Sequence, residues 1–345
     1  MKILYAVQAT GNGHIARATE LLPVLQRHGQ VDVFLSGSNS SIDSDLPVVY
    51  RSKGLSLFYG NRGGLDYLRM LRSFAPARII REVMDLPVEK YDLVINDFEA
   101  ISSLACRHKK IPFVHFGHQA SFVSDNVPRP ASRDVVGEWL LRHYASSPNA
   151  IGLHFDNYDD FIYQPVIKKA VLEATSANHG HITVYLGHYS EAVLTRALQA
   201  IPDACFHVFS REAKQVTRLN NLVIMPVNNK NFTESLITSA GVITGAGFET
   251  PAEALYLGKR LLCLPIRGQY EQLCNAAALA DFGVPVVQKI DAKFKNAVSD
   301  WLSSAPPRQL VLKHTTNMII EQVIETGINA RFENEAAGGK LYPAI

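Results

Sequence analysis

Short apolar runs recur along this chain, at residues 2–7, 31–35, 93–96, 112–116, 151–155, 182–186, 205–209, 223–225, 241–244, 260–264 and 284–287, and helical spacing fills the gaps between them. A connection long enough to hold a helix returns the chain in the direction it came from. Strands joined this way pair in parallel and are covered by helices on both faces. The expected fold class is therefore α/β, built from doubly wound, Rossmann-like sheets. The rhythm breaks between Ser146 and Gly180, where an acidic turn, Asp156-Asn157-Tyr158-Asp159-Asp160, is followed by Pro165 and the polar run Thr175 to Gly180. A length of 345 residues exceeds what one core usually supports. Two domains follow, 1–165 and 166–325, with the boundary between Phe161 and Ala177. Residues 310–324 have the spacing of an amphipathic terminal helix. Residues 326–345 read as a tail, extended or disordered from Asn329 onward.

Bulk properties exclude several classes. Apolar residues make up 47% and charged residues 19%, a balance that folds throughout. Lys and Arg number 34 against 32 Asp and Glu, so no basic footprint for nucleic acid exists. No window approaches the roughly 20 apolar residues of a membrane span, and the first run, interrupted by Gln8 and Thr10, reads as a strand and not as a signal peptide. Cys106, Cys205, Cys263 and Cys274 lack CxxC spacing, which favours reduced thiols and a cytoplasmic location.

Two glycine turns follow such runs. In the first, GNGHIARA, the residues Gly11, Gly13 and Ala16 satisfy the weak dinucleotide pattern G-x-G-x-x-A. The acid that would hold a ribose hydroxyl is misplaced, because Asp32 lies near the start of the second run and its end reads Ser36-Gly37-Ser38. What the turn offers is His14, placed as a candidate general base. Asp97 ends the run at 93–96 and is the carboxylate expected to orient it. Glu99 and His118 should share that rim with Gly13 on the acceptor side. Each has a plainer explanation, since a His in a turn can bond backbone and an Asp after a strand is often an N-cap.

The second turn, GAGFETPAEAL, spans 245–255. Gly247 and Thr250 stand where helix amides and a hydroxyl can meet an anionic oxygen, and Glu253 lies one turn on, in position for ribose hydroxyls. The same letters also spell a capping box, with Thr250 as cap and Glu253 as its partner. After the next run comes Pro265-Ile266-Arg267-Gly268-Gln269-Tyr270-Glu271-Gln272. Taken together these elements resemble the donor-binding signature of GT-B glycosyltransferases. That class includes the bacterial enzyme that adds N-acetylglucosamine to a lipid-linked peptidoglycan precursor and the UDP-glucuronosyl and glucosyl transferases.

The resemblance extends over nearly the whole chain, and the form GAGFETPAEAL with PIRGQYEQ is most similar to a group of bacterial and archaeal glycosyltransferases of unassigned acceptor. It implies a GT-B fold, two Rossmann-like domains facing a central cleft. It further implies that Gly247, Thr250 and Glu253 bind phosphates and ribose, that Glu271 and Gln272 contact the sugar, and that residues 223–232, Val227 among them, pack on the base. It also implies that His14 with Asp97 forms the base. The sequence departs from the family in Gly245, where a cationic or imidazole contact to the diphosphate is common, and in Glu249, a carboxylate beside the phosphates. Arg211 and His188, at strand ends of the same domain, are candidates to compensate.

The reaction implied is transfer of a hexose from a nucleoside-diphosphate sugar, a UDP-sugar, to a hydroxyl, with inversion and without metal or other cofactor. The only DxD spelling, Asp43-Ser44-Asp45, falls in a Ser-rich loop. The acceptor, a glycan or lipid-linked glycan of the cell envelope, should meet the first domain. There residues 59–64, Arg69, Arg72, Phe74 and Arg78 could contact the inner membrane face, and the loop 121–133 could close. Two alternatives stay open, a sugar-nucleotide epimerase or hydrolase of this architecture and a non-catalytic sugar-nucleotide binder.

Overall fold

A computed structural model describes residues 1–9, 12–37, 46–54 and 75–338. In the first sheet are β1 (Lys2–Gln8), β2 (Gln30–Ser36), β3 (Val48–Ser52), β4 (Leu93–Asp97), β5 (Val114–Gly117), β6 (Ala150–Leu153) and β7 (Ile162–Tyr163), in the order β3-β2-β1-β4-β5-β6-β7. Every pairing in it is parallel. The second sheet holds β8 (His181–Tyr185), β9 (Cys205–Ser210), β10 (Thr217–Leu219), β11 (Leu222–Pro226), β12 (Gly241–Thr244) and β13 (Arg260–Cys263), in the order β10-β11-β9-β8-β12-β13, and only the β10–β11 pair is antiparallel.

β1 shows why apolar runs without alternation make these sheets. Ile3, Tyr5 and Val7 face one core with Ile15, Ala18, Leu21 and Leu25 of the helix Asn12–Leu25. Leu4 and Ala6 face another, with Ile101, Ala105 and Cys106 of the helix Ala100–Lys109. Each face removes its side chains from water, which stabilises the fold by about 1.5–3 kcal/mol per large aliphatic residue. In the second sheet Ile182 and Val184 pack against Leu194 and Leu198 of the helix Glu191–Gln199 and against Val298 and Trp301 of the helix Phe294–Ser303.

Three strands lack the apolar run that marks the others: edge strand β3 is only partly buried, β7 has two residues and β10 is exposed throughout. Conversely, the run at 284–287 forms no strand, only a single bridge from Val286 to Cys263. The C-terminus also differs from expectation. The helix Thr316–Ala336, capped by Thr315, continues well past Asn329. It returns to the first sheet, where Gly327 lies against Leu93 and Val114. Arg331 donates to the Tyr91 carbonyl at 2.7 Å, and Asn334 to that of Lys110 at 3.1 Å. Its buried stripe ends in Gly327, Ala330 and Asn334, residues small or polar enough to hide the helical period in the sequence. Residues 339–345 lie outside the described residues, as do Asp43-Ser44-Asp45, the stretch 59–64, Arg69, Arg72 and Phe74. Arg78, from the same basic stretch, lies on the helix Pro76–Asp85 and pairs with Glu82 at 3.0 Å.

All four cysteines are free, Cys106, Cys263 and Cys274 buried and Cys205 exposed. Among the described residues no helix is long and apolar enough to cross a membrane.

One core residue carries a stability prediction. His115 on β5 is 1% exposed and, among the described residues, neither ring nitrogen has a partner. Burial lowers its pKa from 6.5 to about 4, a shift that the charge of Asp97 opposes. The folded state therefore resists the proton that the unfolded chain accepts. Stability is full above the ordinary imidazole range and falls with pH from about 6.5 to about 4, by up to about 3 kcal/mol. Melting temperatures across that range should drop for the wild type and drop measurably less for His115→Phe, which forfeits no hydrogen bond.

Candidate active site

Strand order in each sheet reverses beside its first strand, between β1 and β4 and between β8 and β12. At such switch points two loops leave the carboxyl edge in opposite directions and open a crevice. The helix Asn12–Leu25, which begins within the first glycine turn, follows β1 there, and the second glycine turn follows β12.

Adjacency of β1 and β4 brings His14 and Asp97 together across 83 positions, with His14 Nδ1 2.8 Å from Asp97 Oδ1. Asp97 is not a helix cap. Phe98, with φ of 54°, turns the chain sharply after it, and Glu99 caps the helix Ala100–Lys109 in its place. A left-handed conformation at a buried aromatic is costly and recurs at functional sites. Nδ1 faces two groups of opposite kind, Asp97 Oδ1 at 2.8 Å, which only accepts, and Arg17 Nη2 at 3.1 Å, which only donates; the shorter contact assigns its proton to Asp97. Nε2 then keeps its lone pair, and among the described residues nothing bonds to it. The ring is 12% exposed.

Asp97 is fully buried and has a second partner that the sequence reading missed. Arg17 donates to it through Nη2 at 2.7 Å to Oδ1 and through Nε at 3.2 Å to Oδ2. Burial alone would raise the Asp97 pKa, but the charge of Arg17 and the hydrogen bonds from His14 and Arg17 outweigh it and hold the carboxyl well below the usual carboxylate range. Gly117, with φ of 128°, brings its backbone close enough that a Cβ would stand 3.0 Å from Asp97 Oδ1 and 3.1 Å from Arg17 Nη2. The available signal for Arg17 was its spacing from His14, i to i+3 on one helix face.

Arg17 also reaches the second half of the chain, donating through Nη1 to Glu249 Oε1 at 2.5 Å. Glu249 opens the helix Glu249–Tyr256, and burial raises its pKa against the opposing charge of Arg17. The carboxylate beside the second glycine turn is thus ion-paired. Gly13 lies beneath it, a Cβ there meeting Glu249 Cγ at 3.4 Å.

The helix Glu249–Tyr256 has no side-chain cap, since Phe248 precedes it and Thr250 lies inside its first turn, so the capping box is not formed. Its first amides have no capping side chain, and the space around Gly247 is open, with nothing within 4 Å of where a Cβ would be. Four of the expected site residues have partners within the protein. Glu253 is only 2% exposed and pairs with Lys168 at 3.2 Å, so its carboxylate is not presented to a ribose in this structure. Burial raises its pKa to about 7 against Lys168. Gln272 turns back, its Oε1 accepting from the Ile266 amide at 2.9 Å, and so braces the loop next to Gly245. Glu99 spends its carboxylate on the amides of Ile101 and Ser102 at 2.8 and 2.6 Å and is fully buried. His118 is enclosed too. It stacks on Phe248 at 3.9 Å and lies 2.8 Å from Asn275 Oδ1 and 3.0 Å from the Leu153 carbonyl. Glu99 thus serves as a helix cap and His118 as a packing group in this structure.

Glu271 is 20% exposed, 3.9 Å from His118. Arg211, exposed after β9, donates to the Tyr185 hydroxyl at 3.2 Å. His188 is exposed beside Tyr189, and Val227, 38% exposed, follows β11. These residues stand on the carboxyl edge of the second sheet with Gly247. Among the described residues no three His, Cys, Asp or Glu side chains cluster as a metal site.

Solved structures of similar fold include MurG of Acinetobacter baumannii, 15% identical over 96% of this chain and 94% of that one with a TM-score of 0.53. The spinosyn rhamnosyltransferase SpnG complexed with thymidine diphosphate is 16% identical over 96% and 97% of the chains, with a TM-score of 0.52. UGT89C1 of Arabidopsis thaliana complexed with UDP is 11% identical over 99% and 100%, with a TM-score of 0.53. At these identities the likeness is one of fold, and the fold is GT-B. No curated protein sequence matches the chain. A model of glycosyl transferase family 1 matches residues 1–306, and the chain belongs to that family.

Proposed function

We propose that the protein transfers a hexose from a UDP-sugar to a hydroxyl of an acceptor, with inversion, His14 acting as general base and Asp97 as its orienting carboxylate. The observation that carries this reading is the 2.8 Å contact from His14 Nδ1 to Asp97 Oδ1, which leaves Nε2 free to take a proton. As the acceptor oxygen attacks the anomeric carbon, its proton passes to Nε2. A carbon–oxygen bond forms on one face while the bond to the diphosphate oxygen breaks on the other, and the leaving group departs with the electron pair. One displacement of this kind inverts the anomeric centre.

The helix Glu249–Tyr256 supports the donor half of the reading. Uncapped first-turn amides and the positive end of its dipole, beside the open space at Gly247, suit the diphosphate and the charge it gains as it leaves. This assigns leaving-group stabilisation to the protein's own amides and not to a metal. Glu271 suits sugar hydroxyls, Arg211 and His188 suit the diphosphate or base, and Val227 the base plane. A ribose contact at Glu253 requires its pair with Lys168 to open. That the similar structures are complexed with UDP and with thymidine diphosphate is the reason for placing a pyrimidine nucleotide here.

The test is a thermal-shift series with UDP, thymidine diphosphate, GDP, ADP and NAD. A ligand at 100 times its Kd stabilises the folded state by about 2.7 kcal/mol. UDP should raise the melting temperature, NAD should not, and Glu253→Ala should weaken the UDP response. A response to NAD alone overturns the reading.

A further inference from the structure

Arg17 has no part in the proton transfer proposed above, yet it lies at the only described place where the base pair and the donor helix are joined by one side chain. Its guanidinium is 2% exposed and planar, with its donors in a fixed fork. Nε and Nη2 face Asp97, Nη2 also stands 3.1 Å from His14 Nδ1, and Nη1 faces Glu249 on the other half of the molecule. A fork of this shape cannot turn toward one carboxylate without changing its bonds to the other. On the side of Asp97, Gly117 packs against the same pair so closely that any side chain there would displace it.

We propose that Arg17 is a positioning residue that couples docking of the donor helix to alignment of the base: Glu249, seated on Arg17, holds the guanidinium in the plane that keeps Asp97 bonded to the His14 ring. This deepens the glycosyl-transfer reading and rests on His14 being its base. It also gives Glu249 a role beside the phosphates. Two bare carboxylates beside a diphosphate would repel it, whereas one cation held between them halves their net charge and links the halves only when both are in place. When the donor half withdraws, Arg17 loses Nη1's partner, its side chain gains rotamer freedom, and the Asp97–His14 bond loses its lateral support. The base is then assembled with the donor site and not before, which limits wasteful proton transfer in the open protein.

The experiment reads the base pair directly in the full-length chain and needs no acceptor. The Nδ1 proton shared by His14 and Asp97 should give a downfield proton NMR resonance, assigned by its loss in His14→Ala. In Glu249→Ala that resonance should broaden or vanish and UDP affinity should stay within about threefold, since the mutated carboxylate does not hold the diphosphate. Glu249→Gln, whose amide oxygen can still accept from Nη1, should restore it at least in part. Circular dichroism and melting temperature establish that each variant is folded. A sharp, unshifted His14 resonance in Glu249→Ala overturns the coupling even if UDP binds and His14→Ala is inactive. Absence of UDP binding in the wild type, with the resonance behaving as stated, instead overturns the donor reading and leaves the coupling in place.

Discussion

His14→Ala lowers transfer by about 10³-fold or more while leaving UDP affinity close to that of the wild type. The size follows from removing a positioned base, a loss typically on the order of 10²–10⁴-fold, together with the collapse of a unit whose members act jointly. The retained affinity follows from place, because His14 stands on the first sheet and the uncapped helix Glu249–Tyr256 on the second. Calorimetry with UDP and initial rates with the acceptor, once one is found, separate the two effects. A variant that loses affinity and rate together would move His14 from proton transfer to donor binding.

Asp97→Asn carries the second large effect, and it reaches both activity and stability. An asparagine amide facing His14 Nδ1 donates where the carboxylate accepts, which fixes the ring in the tautomer with Nε2 protonated and unable to act as base. In a related arrangement of histidine and carboxylate this exchange costs on the order of 10⁴-fold. Arg17 would also lose its buried counter-ion and keep only Glu249. Breaking a buried ion pair by removing one member typically costs about 3–5 kcal/mol, so the melting temperature should fall clearly. A pH series checks the electrostatic cause. Because the folded-state pKa of Asp97 is depressed, its stabilisation is complete above the ordinary carboxylate range and is lost as acid carries the pH down toward the folded value. That acid-dependent loss should be absent in Asp97→Asn. An unchanged acid profile would show that the pair contributes little.

The fold was legible because its cause is local. A strand buried on both faces reads as a nearly continuous apolar run, and β1, β4, β8 and β12 do, with Asn96, Asp97, Thr183 and Thr244 among their buried polar exceptions. β3 and β10 went unseen because edge strands that bury little need no apolar run, and β7 because it is two residues long. The continuation of the terminal helix through Ala336 was hidden by Gly327 and Ala330, whose fitness for the sheet lies in their lack of bulk.

The site divides in the same way. His14 and Asp97 could be nominated from their own neighbourhoods, a glycine turn and the end of an apolar run, and their alternatives as backbone-bonding and capping residues could not be dismissed from those neighbourhoods. Thr250 with Glu253 spelled a capping box that did not form, and Glu99, read as a rim carboxylate, is the cap that did. Composition and spacing by themselves determined the class of the fold, the edge on which the glycine turns fall and the residue types available there. Tertiary structure alone decided which of them meet. Strand order set β4 beside β1 and so gave His14 its carboxylate, the packing of the two halves gave Arg17 a second partner 232 positions away, and the segment before β8 brought Lys168 to Glu253. Periodicity records how each segment meets water, whereas a contact between distant side chains depends on how the segments are stacked, and no local pattern encodes that.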